Sequence, residues 1–529
     1  MALAALCLLG LFSTEIADTD FWWHLKTGQY VVERRALPAP DPFSYTSELG
    51  PPAYPGEERV RYFNLTHEWL AQALWYLVYL AGGFPAVVLF KAVLLTGFCG
   101  LAGLLAARRS GEFWWGMAAA GAAASLAVLF RSDRPALVTF LLVAVFIWIL
   151  ERGRPLWALP VLSVVWANSH GGFFLGGVIV GAYAVASRRH WPLAALTVAA
   201  SGLNPSHFRI VEVLLAYRKS YLTDTLIEWT RPPLWGPPYM FPVLLYASAA
   251  ALLLAWRRVR LSDWLLFAVF SAASLAAFRN VMLTALLAPV LIATYLPWRL
   301  RLPRLAAPAA AAALAAALGA GIWQGQFFQL RAALWKFPSG AADFLLARGF
   351  TEPIFNTYEL GGYLIWRLAP RYKVFIDGRA LNENVYRDYQ QALGQADRGV
   401  LNRHHAGVIV VNAIEYVSGV VYPLVLGLAN QAETEWQLVY EDPQALVFLR
   451  HAPEQAPWLD KSRIAGHLET ACRNYIERDP ELCLCARTLG FLFWRAGDSA
   501  RARRLFALYL ASPHDPDPEA EAAWRRLGP

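Results

Sequence analysis

Ten apolar runs follow one another between residues 84 and 323, each ended by a short polar connection. They lie at about 84–106, 113–130, 135–150, 156–169, 172–186, 191–203, 241–256, 262–278, 281–297 and 305–323. A helix crossing a bilayer needs about 20 largely apolar residues. With the run at 2–17, the pattern predicts eleven transmembrane helices. No basic residue precedes that first run, so it reads as a span shortened by a late start and not as a signal peptide. The chain is 57% hydrophobic and only 16% charged, where a soluble protein carries roughly a quarter.

The connections carry an orientation. Arg108/Arg109, Arg152/Arg154, Arg188/Arg189, Arg257/Arg258/Arg260 and Arg299/Arg301/Arg304 fall in every second one. Positive loops stay in the cytoplasm, so the net charge of +8 is a topology signal and nucleic-acid binding is not expected. The segment Glu68–Leu80 is too short for a span and rich in aromatics, so it is read as an interfacial helix. This topology sends the loop 18–67 outward, together with Arg131–Arg134, Asn168–Gly172, Asn204–His207, the 205–240 loop and Arg279-Asn280. Polar groups beside the spans thus collect on one side, the pattern of a single polar cavity at the outer leaflet.

The stretch Asp18-Thr19-Asp20-Phe21-Trp22-Trp23-His24 opens that cavity. Charge next to lipid is costly and marks function. Asp20 and His24 are four apart, on one face if a helix starts there. Such carboxylates can take a proton from a hydroxyl or hold a divalent cation, or cap a helix start. His67-Glu68 closes the same loop as a second ligand pair or a polar helix start. Arg131 and Arg134 bracket Asp133, and Arg279 interrupts an apolar stretch. A guanidinium there can bind a lipid-linked phosphate in a fork or snorkel to headgroups. His170, in Asn168-Ser169-His170-Gly171-Gly172, lies between two spans with almost no loop, as a cavity-wall or structural histidine. Asn204 and His207 are weighed the same way. The catalytic candidates are therefore Asp18, Asp20 and His24. His67, Glu68, Arg131, Arg134, His170, Asn204 and Arg279 are substrate-binding candidates.

From about residue 331 the periodicity changes. Residues 331–452 read as an α/β domain outside the cytoplasm. Ala341–Arg348 is its helix, Ile354–Asn356, Lys373–Ile376 and Gly407–Val411 its β-runs, and Trp436–Tyr440 with Ala445–Leu449 a hairpin. Asp377 and Arg379 form a charged pair or a turn at a strand end. Residues 453–457 read as a linker. In the helical tail 460–529, Gly490, Phe493, Ala502 and Phe506 have the spacing of one tetratricopeptide-type helix pair. One repeat cannot bury its own face, so it packs on the preceding domain or on a partner protein. Cys472, Cys483 and Cys485 lack a fourth ligand for a metal. Outside the cytoplasm they predict one disulfide and one spare thiol.

Four features together resemble the C-type (GT-C) integral-membrane glycosyltransferase superfamily. They are the acidic pair, a long first loop with Pro38, Pro40, Pro42, Pro51, Pro52 and Pro55, about eleven spans, and a C-terminal extracytoplasmic domain. The stretches DTDFWWHLKTG, HEWLAQ, WANSHGGF and YLIWRL with KVFIDGR are similar to a group of bacterial glycosyltransferase-like membrane proteins. The likeness covers about residues 1–450. It implies an inverting transfer of sugar from a polyprenyl-phosphate-linked donor to an envelope acceptor, at the outer face of a bacterial cytoplasmic membrane. Asp18 by preference would deprotonate the acceptor. Asp20 with His24 would orient it, or Asp18 and Asp20 would hold Mg or Mn. Arg131, Arg134 or Arg279 would stabilise the leaving phosphate. Many members carry adjacent Asp-Glu where Thr19 here separates two acids, so the choice of base stays open.

Other readings use the same residues differently. A non-catalytic envelope assembly or sensor protein would use the bundle as an anchor and the tail to bind partners. A flippase would hold its polar residues at the midplane, and here they crowd one side. A ligase of preassembled glycans is a close variant of the transferase.

Overall fold

The computed structural model describes residues 1–222, 227–296, 298, 303–451 and 458–528. Arg299, Arg301, the linker at 453–457 and part of the 205–240 loop lie outside the described residues. The chain divides into two units, Met1–Pro40 with Tyr54–Ala332 and Asp41–Ala53 with Ala333–Pro529.

In the first unit every apolar run is helical. Its helices are α1 (Ala2–Phe12), α2 (Phe21–Arg34), α3 (Glu57–Thr66), α4 (Trp69–Ser110), α5 (Phe113–Ala127), α6 (Ala136–Arg152) and α7 (Ala158–Ala167). There follow α8 (Phe174–Ala186), α9 (Trp191–Ser201), α10 (Ile210–Tyr217), α11 (Met240–Leu254), α12 (Leu261–Ala276), α13 (Val281–Tyr295) and α14 (Ala306–Trp323). Among the described residues, four helical segments are long and apolar enough to cross a membrane: 57–110, 113–130, 278–295 and 306–323. Shorter apolar helices such as α1, α7, α11 and α12 accompany them. The chain is a multi-pass membrane protein.

The expected interfacial helix is the first arm of α4. The break falls at Gly82 and Gly83, where Gly83 has φ 64° and ψ −156°. Only glycine adopts that conformation freely, so two arms with different surroundings share one helix. The first arm meets α2 so closely that a Cβ on Gly28 would lie 2.0 Å from the Gln72 carbonyl oxygen. That crossing brings the residues after Asp20 beside those after Glu68.

Polar residues collect at the two ends of the same helices. Glu68 precedes α4 and Arg109 lies near its end; Arg134 precedes α6 and Glu151 ends it; Asp263 opens α12 and Arg279 follows it. At one end, Arg109 donates to Asp263, and Arg260 donates to Asp263 at 3.1 Å and to Glu151 at 2.7 Å. These arginines come from the basic connections of the sequence. At the other end stand the acids, histidines and Arg134. Between the ends, α14 buries almost nothing, with Trp323 91% exposed, as a lipid-facing helix does.

The second unit is built on a four-stranded sheet in the order β1-β2-β4-β3. β1 (Ile354–Asn356) runs parallel to β2 (Val408–Val411), and the hairpin of β3 (Trp436–Glu441) and β4 (Leu446–Arg450) adds antiparallel through β4. All β1 and β2 residues are buried, as strands covered on both faces are. Lys373–Ile376 is not a strand of this sheet. Val374 instead bridges Ser44 of the first-loop segment, and Asn356 satisfies its neighbours, accepting from Phe375 N at 2.9 Å and donating to Ile376 O at 2.7 Å. The side chain of a strand residue thus substitutes for a further strand.

Asp377 and Arg379 are a charged pair, with Arg379 buried in this unit. It donates to Asp377 at 2.7 and 2.8 Å and to Asp41 at 3.0 and 3.2 Å. A doubly paired guanidinium holds the segment 41–53 to the sheet domain. The tail helices Arg463–Arg478, Leu484–Arg495 and Ser499–Leu510 share its core through Leu468, Leu489 and Phe506. Gly490 lies under the Phe506 ring. Cys472 and Cys485 form a disulfide and Cys483 is a buried free thiol.

Candidate functional site

Asp20 is the residue before α2, yet its carboxylate makes no capping bond to the helix. That choice decides between a structural and a chemical acid. The turn is closed instead by Asp18, whose Oδ1 accepts from Asp20 N at 2.9 Å. Asp20 is thereby left to a different partner.

That partner is Arg134. Its Nε and Nη2 grip both oxygens of Asp18, at 2.5 and 3.0 Å. Nη2 lies 3.2 Å from Asp20 Oδ2, and Nη1 donates to Glu228 Oε1 at 2.8 Å. One guanidinium thus meets three carboxylates. Burial raises the Asp18 carboxyl, but Arg134 outweighs it and holds Asp18 below the usual carboxylate range. Burial, reinforced by the charge of Asp18, pushes Asp20 up to about 6 against the pull of Arg134. Two adjacent acids have been driven apart in acidity, the arrangement that separates an acid–base group from a permanently charged one.

The loop carrying Arg134 is anchored from below. Lys91 is fully buried on the second arm of α4 and lies 3.1 Å from Asp133. It also donates to Thr14 O at 2.9 Å. Lys91 ties the residue before Arg134 to the end of the first helix, just ahead of Asp18.

His24 does not face Asp20. It turns to the first arm of α4, 3.5 Å from Glu68 Oε2 and 3.1 Å from Gln72 Nε2. His67 Nε2 lies 3.3 Å and His170 Nε2 3.8 Å from Glu68 Oε1. Three imidazoles therefore ring one carboxylate. Their tautomers follow from the other ring nitrogens. His170 Nδ1 accepts from Gly172 N at 3.0 Å and sits 2.8 Å from Thr139 Oγ1, which takes the Trp166 indole proton. Its Nε2–H therefore points at Glu68. His67 Nδ1 lies 2.7 Å from the Phe63 carbonyl and must carry a proton. Burial raises the Glu68 carboxyl, but His67, His24 and His170 outweigh it and hold Glu68 below the usual carboxylate range. Burial lowers His24 to about 4 and His170 to about 3, so both are neutral donors and acceptors near pH 7.

The remaining sequence candidates divide. Arg279 packs over the Trp229 ring at 5.0 Å, next to Glu228. Arg131 is exposed beside the hub and makes no part of it. Asn204 holds its own turn, donating to Ser201 O at 2.7 Å and His207 O at 3.1 Å. Sequence reasoning missed Glu228, Lys91, Gln72, Thr139 and Trp166. A lysine inside the run 84–106 was a usable signal, and Gln72 and Trp166 stand in HEWLAQ and WANSHGGF; Glu228 and Thr139 had no distinguishing spacing.

A divalent cation is the group expected at Asp18 and Asp20. Among the described residues no group of three or more His, Cys, Asp or Glu side chains is placed to hold a metal ion. The acids share Arg134 instead, so the residues do not fit a resident metal and no step is derived through one.

No family profile and no curated sequence matches the chain. Among the solved structures that do match are these two. One is the archaeal oligosaccharyltransferase AglB from Archaeoglobus fulgidus in complex with an inhibitory peptide and a dolichol-phosphate, at 12% identity and a TM-score of 0.51. The other is the A. fulgidus oligosaccharyltransferase in its apo form, at 12% identity and a TM-score of 0.50. Each comparison covers 86% of this chain and 74% of the other.

Proposed function

We propose that this chain, which has the GT-C fold of integral-membrane glycosyltransferases, transfers sugar from a polyprenyl-phosphate-linked donor to an envelope acceptor. The reaction would run at the outer face of a bacterial cytoplasmic membrane, with the second unit on that side. The observation that carries the reading is the Arg134 hub, which gathers Asp18, Asp20 and Glu228 within hydrogen-bond or ion-pair reach of one guanidinium.

An acceptor oxygen forms a bond to the anomeric carbon as the bond from that carbon to the phosphate oxygen breaks. Asp20 takes the hydroxyl proton, because a base works best with a pKa near the working pH; this places the base one acid later than Asp18. Asp18 stays ionised and orients Arg134. Arg279, beside Glu228, is the cation placed for the departing phosphate. His24 and His170, neutral beside Glu68, supply donors and acceptors that orient the acceptor.

A second reading shares this chemistry: transfer of a preassembled oligosaccharide. Both solved structures above are oligosaccharyltransferases, one with dolichol-phosphate bound. The test is mass spectrometry of lipid co-purified with the full chain, followed by single-turnover transfer in nanodiscs. A bound polyprenyl-phosphate glycan that Asp20→Asn binds but does not consume supports the reading. Absence of any lipid-linked glycan, or equal turnover in Asp18→Asn and Asp20→Asn, overturns it.

A further inference from the structure

A cavity of about 400 Å³ opens in the first unit between the start of α3 and the turn leading into α10. It is separate in sequence and partners from the Arg134 hub, and it has the size of a small-molecule site. α3 presents Glu58, Arg59 and Tyr62 to it, and the turn before α10 presents Ser206, His207 and Arg209. Tyr217 OH on α10 donates to Asn64 Oδ1 on α3 at 2.6 Å, so the two walls are tied together.

Three features of the lining bear on the ligand. Ser206 is 6% exposed, and among the described residues its buried hydroxyl has no hydrogen-bond partner. A buried polar atom without a partner costs free energy unless something fills the role. His207 holds φ 51°, a left-handed conformation that costs about 1 kcal/mol for a non-glycine residue. Asn204 enforces it through its bonds across the turn. Strain of this kind persists where a site needs it. Finally, the charges balance: Arg59 is paired with Glu212 at 2.7 Å, and the lining carries the acid Glu58 as well as the base Arg209.

Balanced charge argues against a phosphate, whose recognition needs uncompensated cations. An exposed Tyr62 face, forked guanidinium and carboxylate groups and an unfilled hydroxyl suit a ring bearing many hydroxyls. We propose that this cavity is a saccharide subsite, holding either the distal sugars of the donor or a sugar acceptor. The inference rests on the glycosyl-transfer reading and names a part of the substrate that the Arg134 hub does not touch.

The test uses the full chain in nanodiscs on an array of immobilised bacterial oligosaccharides. Binding of a defined subset is expected. Tyr62→Ala and Arg209→Ala should each weaken it at least tenfold, and Tyr62→Phe should retain it, which separates lost stacking from lost folding. Preloading with extracted lipid-linked oligosaccharide abolishes array binding if the pocket holds distal donor sugars and leaves it intact if the pocket holds an acceptor; both support the subsite. No bound glycan, or binding indifferent to Tyr62→Ala and Arg209→Ala, overturns it. Pocket-dependent glycan binding by a chain that transfers nothing would sink the proposed function and leave this inference standing.

Discussion

Arg134 grips both carboxylate oxygens of Asp18 across 116 residues of chain. The pair joins the end of the first helix to the start of α6, and the same guanidinium reaches Asp20 and Glu228. A fork that serves three acids holds them together and at the same time offsets part of their charge.

Replacing that fork should therefore remove two things at once. Arg134→Ala leaves Asp18 buried without its partner, a loss of about 3–5 kcal/mol in comparable buried pairs. Arg134→Lys keeps the charge but cannot bond two carboxylates in a plane. Thermal unfolding in nanodiscs should show Lys recovering part of the stability, while sugar transfer stays at least 100-fold down in both. Full activity in Arg134→Lys would reduce the hub to a simple charge.

The acid limb of the pH profile should belong to Asp20. Its folded pKa is about 6, against about 3.9 in an unfolded chain. Between those values the fold holds a proton that the unfolded chain has lost. Stability at Asp20 therefore rises as pH falls through that window. Asp18 has the opposite sign: its contribution is complete above about 3.9 and is lost as pH falls through its depressed folded value. With Asp20 as the proposed base, transfer should drop about tenfold per unit below about pH 6. Asp18→Asn removes the charge that helps raise Asp20, so its residual transfer should show the limb at lower pH. An unmoved limb would assign it to another group.

Lys91 makes a further claim. A lysine this deep in an apolar helix is stable only while paired. Lys91→Met strands Asp133, whose carboxyl burial already pushes up to about 6. A loss of about 3–5 kcal/mol is expected from breaking such a pair. Adding Asp133→Asn removes the stranded charge and should restore most of the melting temperature. If the two changes add instead, the pair is not coupled.

Much of this was legible in the residues themselves. Apolar runs placed the helices because lipid leaves the backbone no alternative to internal hydrogen bonds. The one-sided distribution of polar residues singled out Asp18, Asp20, His24, Glu68, His170 and Arg134. How they pair was not legible. Asp20 and His24, four apart, suggested one shared face, but Glu68 and Gln72 on the close-packed arm of α4 take His24 away. Glu228 stood in a loop with nothing to mark it until Arg134 reached it. Lys373–Ile376 had the composition of a strand, yet the side chain of Asn356 claims its polar backbone atoms.

The cysteines give a test of sidedness that does not depend on activity. Cys472 and Cys485 are bonded across a separation of 13 residues, and Cys7, Cys99 and Cys483 are free. A bond closing a loop of that length stabilises by about 3 kcal/mol in the chain-entropy account. It persists only where the compartment is oxidising. Alkylation of the denatured chain without reductant should therefore label the three free cysteines, and all five after reduction. Cys472→Ser should leave Cys485 as a new reactive thiol and lower the melting temperature of the second unit. Labelling of all five in unreduced chain taken directly from cells would place the tail on the reducing side of the membrane.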